Sequence, residues 1–262
     1  MALALVDSHS HVDADEFDAD RAQVIARARE AGVTRQLVPA VDAITWPKLR
    51  DVCAANPGLY PAYGLHPTFL AGHTPQHLEQ LREWIERERP LAIGECGLDY
   101  FLEGLDRDAQ RHYFEAQLEL ARDVDLPVIV HARRAVEDVV LAIRRVGGLR
   151  GVVHSFSGSR QQAEQLWEHG FLVGLGGPVT YARARRIRRL AATMPMEYLL
   201  LETDAPDQPD CHTQGRRNEP ARLAVVLDTI AALRDQDPAQ IAAATTANAE
   251  RLFNLPPAGG IP

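Results

Sequence analysis

Short, continuously apolar runs recur along the chain and are separated by longer amphipathic stretches. The runs fall at 3–6, 36–41, 60–65, 91–94, 127–130, 151–153, 171–175 and 198–201. None alternates apolar with polar positions, the pattern of parallel strands covered on both faces. The stretches at 21–31, 77–88, 107–124, 136–146, 161–169 and 183–192 carry helical periodicity, and 220–233 and 238–253 read as two further helices. Strand–helix alternation repeated eight times predicts an α/β fold, a (β/α)8 TIM-type barrel with extra C-terminal helices. A doubly wound open sheet is the alternative, but no glycine-rich dinucleotide fingerprint supports it. No Pro/Ser/Gly linker interrupts the middle of the chain, so residues 1–255 are expected to form one domain and 256–262 a frayed tail.

Composition narrows the picture modestly. At 262 residues with 46% hydrophobic side chains, the chain has material for one barrel-sized core. A net charge of −8 rules out general attraction of polyanions, so nucleic acid would need a local patch or a bound cation. Cys53, Cys96 and Cys211 are odd in number and lack CxxC spacing, which argues against a disulfide framework and suits a reducing cytoplasm. The N-terminal stretch has no basic region before its apolar residues and does not read as a signal peptide. No apolar stretch reaches the roughly 18 residues of a membrane span, and no membrane or obligate protein partner is inferred.

The chemistry lies where the apolar runs end. His9 and His11, two residues apart after the first run, are expected to leave one strand on the same face, where two imidazoles can share a metal ion. His66 ends the third run, Glu95 the fourth, His131 the fifth, His154 the sixth and Asp204 the eighth. Barrel active sites sit at the C-terminal ends of the strands, so a closed barrel would bring these side chains to one mouth. Taken singly, each histidine has a bland reading as a hydrogen-bonded core or loop residue, and Asp204 before Pro206 has the form of a helix N-cap. Glu95 is harder to dismiss, because a carboxylate after Leu91-Ala92-Ile93 is costly to bury unpaired. Three or four imidazoles with two carboxylates and no thiol describe a hydrolytic metal site rather than a structural zinc knot. Two cations sharing a carboxylate would turn a bridging water into hydroxide near neutral pH and stabilise in-line displacement at phosphorus. The single lysine, Lys48, falls in a helical segment after the second run and is no candidate for a strand-end bridge, which leaves Glu95.

The segments Asp7-Ser8-His9-Ser10-His11, Gly64-Leu65-His66-Pro67, Gly94-Glu95-Cys96-Gly97-Leu98-Asp99, Val130-His131-Ala132-Arg133, Val153-His154-Ser155-Phe156-Ser157-Gly158-Ser159 and Leu201-Glu202-Thr203-Asp204-Ala205-Pro206 resemble those of the TatD family of metal-dependent deoxyribonucleases. The resemblance extends over nearly the whole chain. It implies a phosphodiesterase with two divalent metal ions (Mg2+, Mn2+ or Zn2+), acting as a 3'-5' exonuclease on single-stranded DNA ends. His9, His11, Glu95 and Asp204 would hold one ion, and Glu95, His131 and His154 the other. His66 would face the scissile phosphate, and Asp204 would orient or deprotonate the attacking water, making Asp204, Glu95 and His66 the catalytic set. Cys96 departs from the family pattern, which has an aliphatic residue there; beside Glu95 it should point to the opposite face and pack. Some relatives are assigned to deacylation of D-aminoacyl-tRNA, so hydrolysis of another ester is the second reading, and a non-enzymatic metal-dependent binding protein the third.

Beyond the ligands, Arg133 at the mouth would grip phosphate bidentately, and Ser157 would donate to it or cap the next helix, as would Ser159. Asp99 is a candidate partner for a metal-bound histidine. The arginine-rich run 183–189 reads as a solvated helical face or as a patch that steers nucleic acid. Tyr63, Phe69, Tyr100 and Phe156 lie near strand ends where rings stack on bases, with core packing the stronger reading for Tyr63. His73, His77, His112, His169 and His212 are expected at the surface, and the loop 206–217 at the mouth.

Overall fold

A computed structural model describes residues 4–256. All of the expected tail except Pro256 lies outside them. Eight parallel strands follow one another in chain order around a nearly closed barrel: β1 Leu5–Asp7, β2 Val33–Pro39, β3 Leu59–Tyr63, β4 Ala92–Asp99, β5 Val128–Arg133, β6 Gly151–Val153, β7 Phe171–Leu175 and β8 Leu199–Leu201. Past the last strand the ring is stitched to the first by Ser8 N–H to Leu201 O (3.0 Å) and Asp204 N–H to His9 O (2.9 Å). The helices are α1 Arg21–Glu30, α2 Trp46–Ala55, α3 Pro75–Glu88, α4 Arg107–Asp123, α5 Val136–Val146, α6 Arg160–Glu168, α7 Arg185–Thr193, α8 Leu223–Arg234 and α9 Pro238–Phe253. Several starts are dictated locally. Asp106 and Asp237 accept from the first free N–H groups of α4 and α9, and Ser159 with Gln162 forms a capping box on α6.

The core has two layers. Between strands and helices, apolar side chains such as Val38, Tyr63, Ile93, Leu118 and Val139 pack continuously. Inside the barrel, each strand contributes one residue to a floor: Val6, Leu37, Ala62, Ala92, Ile129, Val152, Leu172 and Leu200. Ala249, Leu252 and Phe253 of α9, with Leu255, complete that cluster, so the last helix plugs the N-terminal end of the barrel. Asn248 fixes it by donating to Met196 O (2.7 Å) and Leu199 O (2.9 Å), and Arg35 reaches Glu250 (2.6 Å) and Pro256 O (2.7 Å). With the lower end closed, the mouth at the C-terminal ends of the strands is the open one.

Two strands run further toward the mouth than their apolar runs. β4 does not end at Glu95 but continues to Asp99, because Cys96, Gly97, Leu98 and Asp99 pair with Val130, His131, Ala132 and Arg133 of a lengthened β5. Gly97 permits that approach: its φ is +148°, and a Cβ there would strike the carbonyl of His131. β1 is short at its far end, so His9 and His11 lie just beyond the strand rather than on it.

Candidate metal centre

Glu95 rises from the middle of β4 into the mouth, and each of its oxygens gathers a separate set of side chains. Oε2 lies 3.1 Å from His9 Nε2 and 3.4 Å from His11 Nε2, and Asp204 Oδ1 stands 3.5 and 3.7 Å from the same nitrogens. Oε1 lies 2.7 Å from His154 Nε2, 3.0 Å from His131 Nδ1 and 3.1 Å from His66 Nε2. The two sets abut, with the rings of His9 and His154 stacked at 3.8 Å. All seven strand-end residues expected at one mouth are therefore brought together. His66 does not stand back from the cluster, being as close to Glu95 as His131 is.

The geometry fits cations better than protons. Donor atoms about 2.0–2.2 Å from one tetrahedral ion are roughly 3.4 Å apart, and His9 Nε2 to His11 Nε2 (3.1 Å) and His131 Nδ1 to His154 Nε2 (3.3 Å) match that spacing. The outer partners decide where the ring protons sit. His11 Nδ1 faces the carbonyl of Pro39 at 3.1 Å, and His131 Nε2 faces Asp99 Oδ2 at 3.0 Å. Both partners only accept, so these nitrogens carry the protons, and the lone pairs of His11 Nε2 and His131 Nδ1 are aimed at the Glu95 carboxylate. A positive ion held by these nitrogens and the carboxylate would resolve that conflict. Without one, the imidazoles diverge. Burial resists a charged ring, yet Glu95 and Asp204 pull His11 up to about 9 and Glu95 pulls His154 up to about 10. Burial instead drives His66 down to about 4, against the pull of Glu95, and holds His9 well below the usual imidazole range. Burial would raise Glu95, but His154, His66 and His9 hold it ionised.

Outer contacts lock this arrangement. Asp99 Oδ1 accepts from Phe101 N (2.8 Å) and Leu102 N (3.0 Å) while Oδ2 holds His131. Against the effect of burial, the His131 hydrogen bond and these N–H groups keep Asp99 down at about 2. Asp7 accepts from the Thr203 hydroxyl and from the N–H of His9 and Thr203, tying β1 to the segment after β8; burial pushes it up to about 7. Asp204 (φ +56°) and Ser155 (φ +45°) sit in the left-handed region at strand ends, a conformation retained here where it aims groups into the mouth.

Three residues of the site carried no assigned role in the sequence reading. Glu202 is fully buried behind His154 and pushed up to about 8 by burial. Its Oε1 accepts from Ser155 N (2.5 Å) and lies 3.9 Å from His154 Nδ1, which, like Glu202 Oε2, has no hydrogen-bond partner among the described residues. Gly174 leaves room for it, since a Cβ there would collide with the carboxylate. Gln208 donates to Asp204 Oδ2 (2.5 Å) and accepts from Ser155 Oγ (2.8 Å). Asp13 faces the mouth, buried, with Oδ1 unpartnered among the described residues. Glu202 sits in the segment Leu201–Pro206, two residues from Asp204, a signal present in the sequence; Gln208 and Asp13 offered none.

The mouth opens into a cavity of about 1070 Å³ lined in part by Arg133, Ser157, Phe69 and Lys48. Ser159 takes the capping role, leaving the Ser157 side chain at the mouth. Tyr63 packs with Trp46 and Trp84, and Phe156 is also buried, so neither ring can reach a base. Tyr100 is tied by its hydroxyl to Asp138 (2.7 Å). Phe69 stays 42% exposed, and Phe101, which was not anticipated, 41%. His73 is not at the surface: it is buried against Tyr113 and donates to His66 O (2.9 Å), because the short 3-10 segment Pro67–Gly72 folds it back beneath His66. Cys96 is buried with its thiol toward Ile129 O, in the layer beneath the helices. Of the loop 206–217, Pro206, Asp207 and Gln208 line the mouth, and His212 does not.

The family model described as TatD related DNase matches residues 6–254. The chain belongs to the TatD family. It is 39% identical to the uncharacterized metal-dependent hydrolase YjjV of Escherichia coli (strain K12) over 98% of this chain and 100% of that one, and the YjjV crystal structure superposes with a TM-score of 0.94. It is 35% identical to the uncharacterized metal-dependent hydrolase YabD of Bacillus subtilis, over 96% of this chain and 99% of the relative. It is also 35% identical to a protein named 3'-5' ssDNA/RNA exonuclease TatD from Erwinia tasmaniensis, over 92% and 96% respectively. This chain is thus a TatD-family metal-dependent hydrolase, built on the same barrel as YjjV.

Proposed function

We propose that this TatD-family hydrolase cleaves phosphodiester bonds at the ends of single-stranded nucleic acid, as a 3'-5' exonuclease, with two divalent cations (Mg2+, Mn2+ or Zn2+) that His9, His11, Glu95, His131, His154 and Asp204 would hold. The observation that carries the reading is the division of one buried carboxylate, with His9 and His11 at one oxygen and Asp204 beside those two rings, and His131, His154 and His66 at the other. Bound there, a cation pair supplies an activated water at neutral pH and neutralises charge developing on phosphoryl oxygens. Glu95 spaces the two ligand sets. Asp204, oriented by Gln208, takes the proton of the attacking water. His66, kept neutral by burial, donates to a phosphoryl oxygen, and Arg133 and Ser157 bind the phosphate from the rim. Three cysteines without a disulfide suit the cytoplasm as the working compartment. The named relative supports nucleic acid as the substrate class.

The test is end-labelled single-stranded DNA incubated with metal-stripped protein resupplied with Mg2+, Mn2+ or Zn2+, beside Glu95→Gln. Stepwise shortening from the 3' end that needs metal and Glu95 is expected. Intact DNA with every metal, despite measured metal uptake, overturns the nuclease reading and moves the substrate to a carbonyl ester such as an aminoacyl-tRNA.

A further inference from the structure

Charge is divided across the mouth. On the side of β1 and β8, the loops present Asp13, Glu16 and Asp207 to the cavity. The cations there are already engaged: Lys48 with Asp18 (2.9 Å) and Arg217 with Asp20 (2.7 Å). On the side of β5 to β7 the reverse holds. Arg133 and Arg134, at and just past the end of β5, and Arg186, in the first turn of α7, have no carboxylate within ion-pair distance among the described residues. Arg133 and Arg134 instead lie over the exposed ring of Phe101, at 3.7 and 4.7 Å from its centroid. Arg186 donates to the carbonyl of Ser157, which places it at the rim where Ser157 lines the cavity. Two guanidinium groups held on an aromatic ring, continued by a third at the rim, match the needs of a single strand: planar cations on which bases stack and a cationic edge for the backbone.

We infer that the strand crosses this mouth on one side only, running out over Phe101, Arg133, Arg134 and Arg186, while the acidic lip of Asp13, Glu16 and Asp207 rejects a backbone that continues past the scissile bond. The requirement for a free end is then electrostatic. Phosphates on the arginine side are neutralised, whereas a phosphate beyond the scissile bond meets the carboxylates of Asp13, Glu16 and Asp207. This rests on the nucleic-acid reading above and adds the path of the strand and the cause of end selectivity.

The experiment has a binding arm and a cleavage arm. Binding of a hydrolysis-resistant phosphorothioate single strand to the metal-loaded protein is followed by anisotropy between about 50 and 200 mM salt. Each lost phosphate contact on a single strand removes roughly 0.7 from the slope of log affinity against log salt, so R133A/R134A/R186A should flatten it by about 2. The control R29A/R82A/R144A, equal in charge change but far from the mouth, should leave it unchanged; equal slopes for both triple variants overturn the track. In the cleavage arm the wild type degrades a linear strand and spares its circularised form, and E16K/D207K nicks the circle. A circle cut by the wild type, or spared by the lip variant, overturns the acidic stop. Failure of the wild type to cut any nucleic acid while hydrolysing another ester defeats the functional reading itself, and this inference falls with it.

Discussion

Asp99 and Glu202 flank two histidines of the cluster, and they differ in how completely they are satisfied. Asp99 spends one oxygen on His131 and the other on two backbone N–H groups. Partners of this kind set the tautomer and basicity of a ligating imidazole, and their loss costs about 10–100-fold in metal affinity. Asp99→Asn should weaken binding within that range, with the fold retained, as read by competition with a chromogenic chelator. Glu202 is the opposite case, buried with one oxygen unpartnered among the described residues. Its folded-state pKa is about 8 against the ordinary 4.5, so the folded protein binds its proton more tightly than the unfolded chain does. The stability this provides is whole below about pH 4.5 and is lost as pH rises through about 8. Metal-free protein should therefore melt at progressively lower temperature across that window. Glu202→Gln should remove part of the decline, measured as the difference between the two melting curves at each pH; parallel curves would show that Glu202 is not the titrating group.

At the scale of elements, α9 is the clearest division of labour. Phe253 and Leu252 close the barrel floor, far from the mouth. Phe253→Ala should cost about 3–5 kcal/mol in denaturant unfolding, as for other large buried aromatic truncations, while leaving the metal affinity of the folded fraction unchanged. The plug was legible as an amphipathic tail helix, but what it covers was not, because the floor it meets is assembled from eight separate strands. β6 and β7 match their apolar runs residue for residue, since both are uniformly buried. β4 was cut short at Glu95 for a related reason. Beyond Ile93 its sequence alternates Gly94, Glu95, Cys96, Gly97, Leu98 and Asp99, and the positions that face a polar mouth cannot read as apolar however well they pair. The site residues were legible because they repeat one positional rule, a polar side chain at the end of an apolar run. Phe101, Gln208 and Asp13 follow no such rule, and only the closing of the ring brings them to the mouth.

For the molecule as a whole, the centre is a local conflict built into a rigid frame. Six strands or their extensions deliver His9, His11, His66, Glu95, His131, His154 and Asp204 to one buried volume, with two carboxylates among five imidazole rings. The unfolded chain holds no such arrangement, so a cation that binds only the folded protein stabilises it by RT ln(1 + [L]/Kd), about 2.7 kcal/mol at a hundredfold excess over Kd. For a chain of this size each kcal/mol raises the melting temperature by roughly 2–4 °C. Chelation should accordingly lower the midpoint by about 5–10 °C, and resupply of the preferred metal should restore it in a concentration-dependent way. Glu95→Gln separates this from non-specific binding. It keeps the shape of the side chain but removes the charge that both sets share, so its melting temperature should be insensitive to chelator and metal alike. A variant that still gains several degrees on metal addition would mean that the ions bind without the Glu95 bridge, and the two-cation arrangement would have to be abandoned.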